Sequence, residues 1–362
     1  MSDRFDFAIV GAGMAGATLA AALAARGAAV VLLEAETVPG YHATGRSAAF
    51  WTESYGGPGV QPLTTASGPA LHTGGYLRPR GALTIARTGQ EAALDRFSDS
   101  FAALGVRVEQ LDRAGLEARI PGLRPGWTAG ALEPTCCDID VARLHQDAIA
   151  AARHGGAQLW TSARLAGAAR THGAWQLSCA DGRTLGAGVL VNAAGAWADM
   201  VAEIAGASPL GITPYRRTVA QIRVAPEAPA DLPLVLDLGE RFYFKPEAGR
   251  LWLSPHDEVA SPPCDAAPEE LAVAEAIDRF GAVVDWQVER VEHRWAGLRS
   301  FAPDRLPVYG FDARAQGFFW FAGQGGFGIQ TAPAAAALAA ALLCGEPGGA
   351  VDPAPYAPAR FG

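Results

Sequence analysis

The first 34 residues carry the feature that most constrains the fold of this chain. An apolar run over Phe5–Val10 leads into the glycine-rich Gly11–Gly16, a helix-forming stretch follows to Arg26, and a second apolar run ends at Glu34. In such a unit the first glycine allows a tight turn, the second lets backbone approach a pyrophosphate, and the third lets helix and strand pack closely. The positive end of the helix then binds phosphate. The sequence therefore predicts a Rossmann-like dinucleotide-binding unit.

Glu34 narrows the choice of dinucleotide. It lies 18 residues after Gly16, where a carboxylate accepts hydrogen bonds from ribose hydroxyls. An acid at this place would repel a 2′-phosphate, which argues against NADP. FAD and NAD both remain open from this unit alone.

Composition excludes several other classes of protein. A chain of 362 residues is long enough for two domains, and its net charge of −8 gives no basic surface for nucleic acid. The most apolar stretch has 13 residues, short of the ~20 that span a bilayer. Asp3 and Asp6 stand where a secretory leader would be apolar, and the five cysteines lack metal-like spacing. We expect a cytoplasmic protein without a transmembrane segment, a metal site or a nucleic-acid partner.

The order of elements favours FAD over NAD. Val141–His154 has the pattern of an amphipathic helix, and buried strands at 189–191 and 317–322 return to the α/β pattern of the N-terminus. Between about 214 and 295, shorter strands predict an antiparallel sheet. The loop at 41–49 is expected to lead into a helix. A simple NAD dehydrogenase completes its nucleotide domain in one piece, so this discontinuous arrangement favours FAD.

A second glycine-rich turn supports this choice. Residues 323–328 contain four glycines between a strand and a helix expected to begin near Gln330. Reduced flavin carries negative charge near N1, which a helix N-terminus would stabilise. A flexible hinge is the alternative interpretation.

Three arginines and two tyrosines are candidates for substrate binding. A strand sends Arg216 and Arg217 to opposite faces, so only one can face a pocket, and an exposed sheet edge is the alternative. Arg299 lies in an apolar neighbourhood, which favours a buried role. Arginine binds both oxygens of a carboxylate. Tyr243 could contact the same carboxylate or belong to the core, and Tyr55 is either a lid residue or a surface aromatic.

These residues together resemble the D-amino-acid oxidase family of FAD-dependent oxidoreductases, and within it the bacterial D-arginine dehydrogenases. The resemblance is carried by residues 11–16, 40–49, 138–140, 144–146, 189–197, 216–217, 242–243, 295–301 and 317–331. It implies a discontinuous Rossmann-like FAD-binding domain over 1–80, 140–213 and 296–362. An inserted α+β substrate-binding domain would cover 81–139 and 214–295.

The resemblance also implies roles for individual residues. The non-covalent FAD would be bound by Gly11, Gly13, Met14, Ala15, Gly16, Glu34, Ala35, Thr44, Gly45, Arg46, Ser47, Ala48, Ala194, Gly195, Trp197, Arg299, Gly325, Gly326, Phe327, Gly328, Ile329 and Gln330. The catalytic site would contain Arg217, Tyr243, Arg299, Tyr55, Gln330 and Phe50. Hydride would pass from the substrate Cα to flavin N5, and water would hydrolyse the imino acid to a 2-oxo acid and ammonia. The substrate would be an amino acid with a free carboxylate. The sequence leaves open whether the electron acceptor is oxygen, a quinone or another compound.

Two positions depart from the D-arginine dehydrogenases. Phe50 replaces a histidine, and Ala82 replaces a glutamate that pairs with the substrate guanidinium. A buried guanidinium would then stay unpaired, which predicts a preference for D-amino acids with neutral or hydrophobic side chains. Alternatives on the same fold are oxidation of glycine, sarcosine, a cyclic imino acid or a 2-hydroxy acid. A flavin-binding subunit of a larger complex is the alternative of a different class.

Overall fold

The computed structural model describes residues 3–347 and 349–362. The helices are α1 Met14–Ala24, α2 Gln61–Thr73, α3 Glu91–Ala102, α4 Arg113–Glu117, α5 Val141–His154, α6 Ala198–Ile204, α7 Glu270–Gly281 and α8 Ala332–Cys344. The strands are β1 Asp3–Val10, β2 Val30–Leu33, β3 Phe50–Trp51, β4 Leu77–Pro79, β5 Ala82–Arg87, β6 Glu109–Asp112, β7 Trp127–Glu133, β8 Cys137–Ile139, β9 Gln158–Trp160, β10 Leu165–Thr171, β11 Ala174–Cys179, β12 Thr184–Asn192, β13 Thr213–Ala225, β14 Leu234–Asp237, β15 Tyr243–Glu247, β16 Arg250–Ser254, β17 Val259–Ala260, β18 Gln287–Phe301, β19 Val308–Phe311, β20 Phe318–Ala322 and β21 Gln324–Gly325.

The first sheet is an eight-stranded α/β sheet with a parallel centre. Its strands run in the order β10-β11-β12-β1-β2-β9, and β20 pairs with β12 and with β19. Strands β1, β2, β9, β12 and β20 pair in parallel. Ile9 and Leu32 pack into the core on one face, and Ala8 and Val31 pack into the core on the other. Burial on both faces explains why these strands are apolar throughout rather than alternating.

The glycine turn after β1 has the geometry that its sequence predicts. Gly11 has a φ of +100°, and a Cβ there would lie 2.5 Å from the carbonyl oxygen of Ala193. A Cβ on Gly16 would lie 1.9 Å from the carbonyl oxygen of Gly11. Only glycine fits either position, and this confirms the tight turn and the close helix packing.

The second sheet has ten strands and is mostly antiparallel. Its order is β21-β18-β13-β16-β15-β14-β5-β7-β6, with β17 on β13. One face packs on α7 through an apolar core that includes Phe244, Leu253 and Phe280. From the opposite face, Arg217, Tyr243 and Arg299 reach a large cavity. A third, small sheet contains β3, β8 and β4.

The proposed domain division stays a prediction, and two strands of the second sheet do not keep to its boundary at 296. β18 runs across the boundary placed at 296, and β21 belongs to the second sheet although it lies beyond that boundary. The expected helix after residue 49 is wrong, because Phe50 and Trp51 pair with β8 as strand β3. Helix α2 begins only at Gln61, after the consecutive glycines Gly56 and Gly57, which have φ angles of +102° and +79°.

No helix among the described residues has the length and hydrophobicity to cross a membrane.

Candidate active site

One cavity is lined by residues from both large sheets. It has a volume of about 380 Å³. Of the residues proposed for the cofactor, it is lined by Gly11, Gly13, Met14, Ala15, Glu34, Ala35, Thr44, Arg46, Ser47, Ala48, Ala194, Gly195, Trp197, Arg299, Gly325, Gly326, Gly328 and Ile329. Both glycine turns therefore open onto the same space, as a dinucleotide that spans them requires.

The nucleotide end of the cavity is rigidly built. Glu34 is buried, and its two carboxylate oxygens accept hydrogen bonds from the backbone N–H groups of Ala12 at 2.9 Å and Glu36 at 3.0 Å. The N–H of Met14 donates to Thr44 Oγ1 at 2.9 Å, so the loop after β2 is tied to the first turn of α1. A fixed carboxylate beside a helix N-terminus suits a ribose and its phosphates. These residues fit the ADP half of FAD.

Four residues proposed for the cofactor stand behind the lining. Gly16 and Gly45 pack against the carbonyl oxygens of Gly11 and Gly40. Phe327 packs its ring on Tyr55. Gln330 is buried and donates from Nε2 to the carbonyl oxygen of Tyr55 at 3.1 Å and to Thr64 Oγ1 at 2.9 Å. In this arrangement they support the wall of the cavity.

Arg217 brings a buried positive charge to the cavity. It is 3% exposed; its Nε donates to the carbonyl oxygen of Asp257 at 2.8 Å, and its Nη2 lies 3.1 Å from Glu258 Oε1. Its Nη1 is buried without a hydrogen-bond partner among the described residues. Arg216 lies on the other face of β13 and pairs with Glu269. The prediction that only one of the two arginines faces the pocket is confirmed.

Arg299 places a second guanidinium beside the first. Its Nη1 donates to the hydroxyl oxygen of Tyr55 at 2.6 Å, and Tyr243, which is 1% exposed, lines the same end of the cavity. Burial, and then the charge of Arg299, lowers the pKa of Arg217. Two neighbouring guanidinium groups, one of them with an unpartnered N–H among the described residues, have the chemistry that binds an anion.

An apolar cluster surrounds these polar groups. Phe50 is buried and packs edge-on against Tyr55 at 5.3 Å and Tyr243 at 6.1 Å between ring centroids. Ala82 and Leu234 belong to the same cluster. Phe50 does not itself line the cavity and instead holds the two tyrosine rings.

Two further residues of the site carry no recognisable sequence signal. His256 lies at the long distance of 3.4 Å from the Tyr55 hydroxyl through its Nε2, and burial together with Arg217 and Arg299 lowers its pKa to about 2. Glu133 is buried and accepts hydrogen bonds from Thr52 Oγ1 at 2.6 Å and from the backbone N–H groups of Glu53 at 2.8 Å and Ser54 at 3.0 Å. Both are brought to the site by the pairing of distant strands.

Curated relatives resemble parts of this chain. It is 29% identical over 272 residues to the hydrogen cyanide synthase subunit HcnC of Pseudomonas aeruginosa, covering 71% of this chain and 61% of that protein. It is 38% identical over 105 residues to a glycine oxidase of the same organism, covering 29% of this chain and 27% of that protein. The chain thus spans less than two thirds of the length of these relatives.

Solved structures show the same fold over nearly the whole chain. A glycine oxidase from Geobacillus kaustophilus has a TM-score of 0.85 at 24% identity and 98% coverage of both chains. An L-proline dehydrogenase from P. horikoshii has a TM-score of 0.87 at 21% identity, covering 100% of this chain and 98% of that one. An L-amino acid deaminase from Proteus vulgaris has a TM-score of 0.82 at 18% identity, covering 100% and 95%.

The family assignment rests on the extent of one match. The family model DAO, described as FAD dependent oxidoreductase, matches residues 6–342. That range contains both glycine turns, Glu34 and the two buried arginines. The chain is therefore a member of the DAO family of FAD-dependent oxidoreductases.

Proposed function

We propose that this enzyme oxidises the amine of an amino acid that has a free carboxylate and a neutral or hydrophobic side chain, with a D-amino acid as the preferred substrate. The observation that carries this proposal is the unpartnered Nη1 of Arg217, buried beside Arg299 in an apolar surround. The product would be an imino acid, which water hydrolyses to a 2-oxo acid and ammonia.

The arginine pair supports a carboxylate as the bound group. Arg217 already uses Nε and Nη2 on Asp257 and Glu258, so its planar guanidinium is fixed with Nη1 left over. Arg299 contributes a second charge to the same end of the cavity. A carboxylate would satisfy both donors and replace water there, and charge-assisted hydrogen bonds of this kind are about twice as strong as neutral ones.

The surrounding side chains support a neutral substrate side chain. Ala82 and Phe50 offer no charge, and Glu133 lies directly across from Ala82 in the β5–β7 pairing. Both oxygens of Glu133 are engaged by the segment Thr52–Ser54. Glu133 is thus committed to the protein itself, and a substrate guanidinium beside Ala82 would be buried without a partner.

These residues can bind the substrate and orient it. When bound, FAD supplies the oxidant that accepts a hydride, the hydrogen of the substrate Cα–H bond together with its electron pair. Arg217 and Arg299 hold the carboxylate, and Tyr243 lines the cavity beside them. Tyr55, which is hydrogen-bonded to Arg299, closes this end of the site. The same cavity is lined by Gly325, Gly326, Gly328 and Ile329. His256 is a poor proton acceptor because of its low pKa, so the chemistry suits an amine that binds neutral.

The names of the relatives suggest two alternatives. Glycine oxidase and L-proline dehydrogenase point to small or cyclic amines as substrates, and HcnC is named as a subunit of a synthase. The carboxylate site would serve the first group equally well. A subunit role would require a partner chain for turnover.

Anaerobic mixing of the yellow protein with an amino-acid panel tests the proposal. The panel contains D-leucine, D-valine, D-methionine, their L enantiomers, D-arginine, glycine, sarcosine and L-proline. We expect loss of the oxidised flavin absorbance with the neutral D-amino acids first. D-Arginine as the best substrate would refute the side-chain assignment, an L-amino acid or glycine as the best would refute the stereochemical one, and no loss with any amine would favour the subunit role.

A further inference from the structure

His256 lies outside the cavity lining and contacts the Tyr55 hydroxyl. His256 has a φ of +57° and follows β16. Its Nδ1 lies 2.5 Å from the carbonyl oxygen of Glu240, and its Nε2 lies 3.4 Å from the Tyr55 hydroxyl. The imidazole also packs edge-on against Tyr243, with 5.8 Å between ring centroids. It therefore contacts both tyrosines of the site.

The partners of His256 determine where its hydrogen lies. A carbonyl oxygen only accepts, so Nδ1 carries the hydrogen and donates it to Glu240. The low pKa keeps the ring neutral, which leaves Nε2 as an acceptor. The hydroxyl of Tyr55 then donates to His256, and its oxygen is free to accept the hydrogen bond from Arg299 Nη1 at 2.6 Å. These contacts form a chain from Glu240 through His256 and Tyr55 to Arg299.

The segments before and after Tyr55 differ in how firmly they are held. The preceding segment, Thr52–Ser54, is fixed by Glu133, whereas Gly56 and Gly57 follow Tyr55 with positive φ angles. Tyr55 therefore lies between a fixed segment and two glycines that permit rotation. Its hydroxyl is held by Arg299 and His256, which belong to the second sheet and its loop.

We propose that His256 is a positioning residue for carboxylate binding. It directs the hydroxyl proton of Tyr55 away from Arg299, which keeps the phenol oxygen as an acceptor and holds Tyr55 closed over the two arginines. This inference rests on the proposed function only in assuming that a carboxylate binds at Arg217 and Arg299. Without the Nε2 acceptor, the hydroxyl proton would turn toward other partners and the loop would open more readily.

A double-mutant cycle with Tyr55→Phe tests whether His256 acts through Tyr55. His256→Asn is the matched substitution, because asparagine tolerates a positive φ and its amide can still donate to Glu240 while it lacks the distant acceptor. The probe is benzoate, a carboxylate that cannot be oxidised at Cα. Its Kd is measured from the change in flavin absorbance at pH 7.

We expect His256→Asn to raise the Kd of benzoate about fivefold, the effect of one hydrogen bond. Tyr55→Phe should raise it by a similar factor, and adding His256→Asn to Tyr55→Phe should change it less than twofold. His256→Gln, which again places an acceptor near the Nε2 position, should restore binding. Independent, multiplied effects of the two substitutions, or no effect of His256→Asn, would overturn the proposal.

Flavin content separates positioning from a purely structural role. Loss of FAD from both His256→Asn and His256→Gln would make His256 structural and would also overturn the inference. A wild-type protein that binds benzoate but oxidises no amine would refute the proposed function. The double-mutant cycle could still be measured with benzoate and would still test the role of His256. A wild-type protein that binds no carboxylate would overturn both.

Discussion

Arg217→Lys is the substitution that most directly tests the proposed carboxylate site. Lysine keeps the positive charge but replaces a rigid planar fork by three N–H groups on a single nitrogen. The Nε of Arg217 donates to the carbonyl oxygen of Asp257 and its Nη2 to Glu258, while its buried Nη1 has no hydrogen-bond partner among the described residues. A lysine ammonium at this place would stay with Asp257 and Glu258, so the donor that Nη1 leaves available for a carboxylate would be lost.

The expected size of the effect follows from that single donor. A hydrogen bond to a charged group contributes about 1.5–3 kcal/mol. Because Arg217 is buried, solvent screens this contribution little. The Kd of a carboxylate should therefore rise about 10- to 150-fold, and KM for the substrate should rise with it. The flavin should remain bound, since none of the Arg217 hydrogen-bond partners belongs to the nucleotide end of the cavity.

The assay is a titration of flavin absorbance with benzoate, repeated with the substrate that the amino-acid panel identifies. Arg216→Lys is the matched control, because Arg216 is the next residue on the same strand and pairs with Glu269 outside the cavity. We expect less than a twofold change for this control. Equal shifts for the two variants, or unchanged binding in Arg217→Lys, would show that the carboxylate does not bind at Arg217.

Two other predictions concern charge near the site. Ala82→Glu alone should not create a guanidinium site, because the new carboxylate would face Glu133 directly across the β5–β7 pair and like charges there repel. The kcat/KM for D-arginine should therefore rise clearly only when Glu133→Gln is added. Equal kcat/KM values for the single and double variants would contradict this. The low pKa of His256 predicts that the folded protein loses stability in acid. In the unfolded state His256 takes up a proton below pH 6.5. In the folded state it does not do so until about pH 2, because burial, Arg217 and Arg299 disfavour the charge. The free energy of unfolding should fall by up to about 1.4 kcal/mol per pH unit below 6.5. Urea unfolding at pH 6.5 and 5.0 should show this loss in the wild type and not in His256→Asn, and identical pH dependence would contradict it.

The nucleotide-binding unit was predictable because its constraints are local. Gly11 must adopt a φ of +100°, and Gly16 must approach a carbonyl oxygen closely, within a few residues of one another. Helix α5 was equally clear, since its bounds at Val141–His154 coincide with the amphipathic pattern. In both cases the sequence neighbours are also the structural neighbours.

The stretch after residue 49 was mispredicted for the opposite reason. Phe50 and Trp51 form a strand because Asp138 and Cys137, far along the chain, supply the hydrogen-bonding partner. Aromatic residues followed by glycines carry no marker of such a partner, and a two-residue strand has no periodicity to detect. Long-range pairing of this kind overrides local preference.

The candidate active site contains one feature that local sequence could predict and one that depends on long-range strand pairing. The alternation of side chains along β13 was enough to predict that only one of Arg216 and Arg217 faces a pocket, but the sequence could not say what completes the site. His256 reaches Tyr55 only because β13 pairs with both β16 and β18, which brings the loop after β16 beside Arg299. A histidine in an ordinary loop gives no sign of this. If His256 does position Tyr55, the carboxylate affinity of this enzyme depends on a residue that substrate-contact motifs do not include, so chains that match those motifs but lack an acceptor at this place should bind carboxylates more weakly.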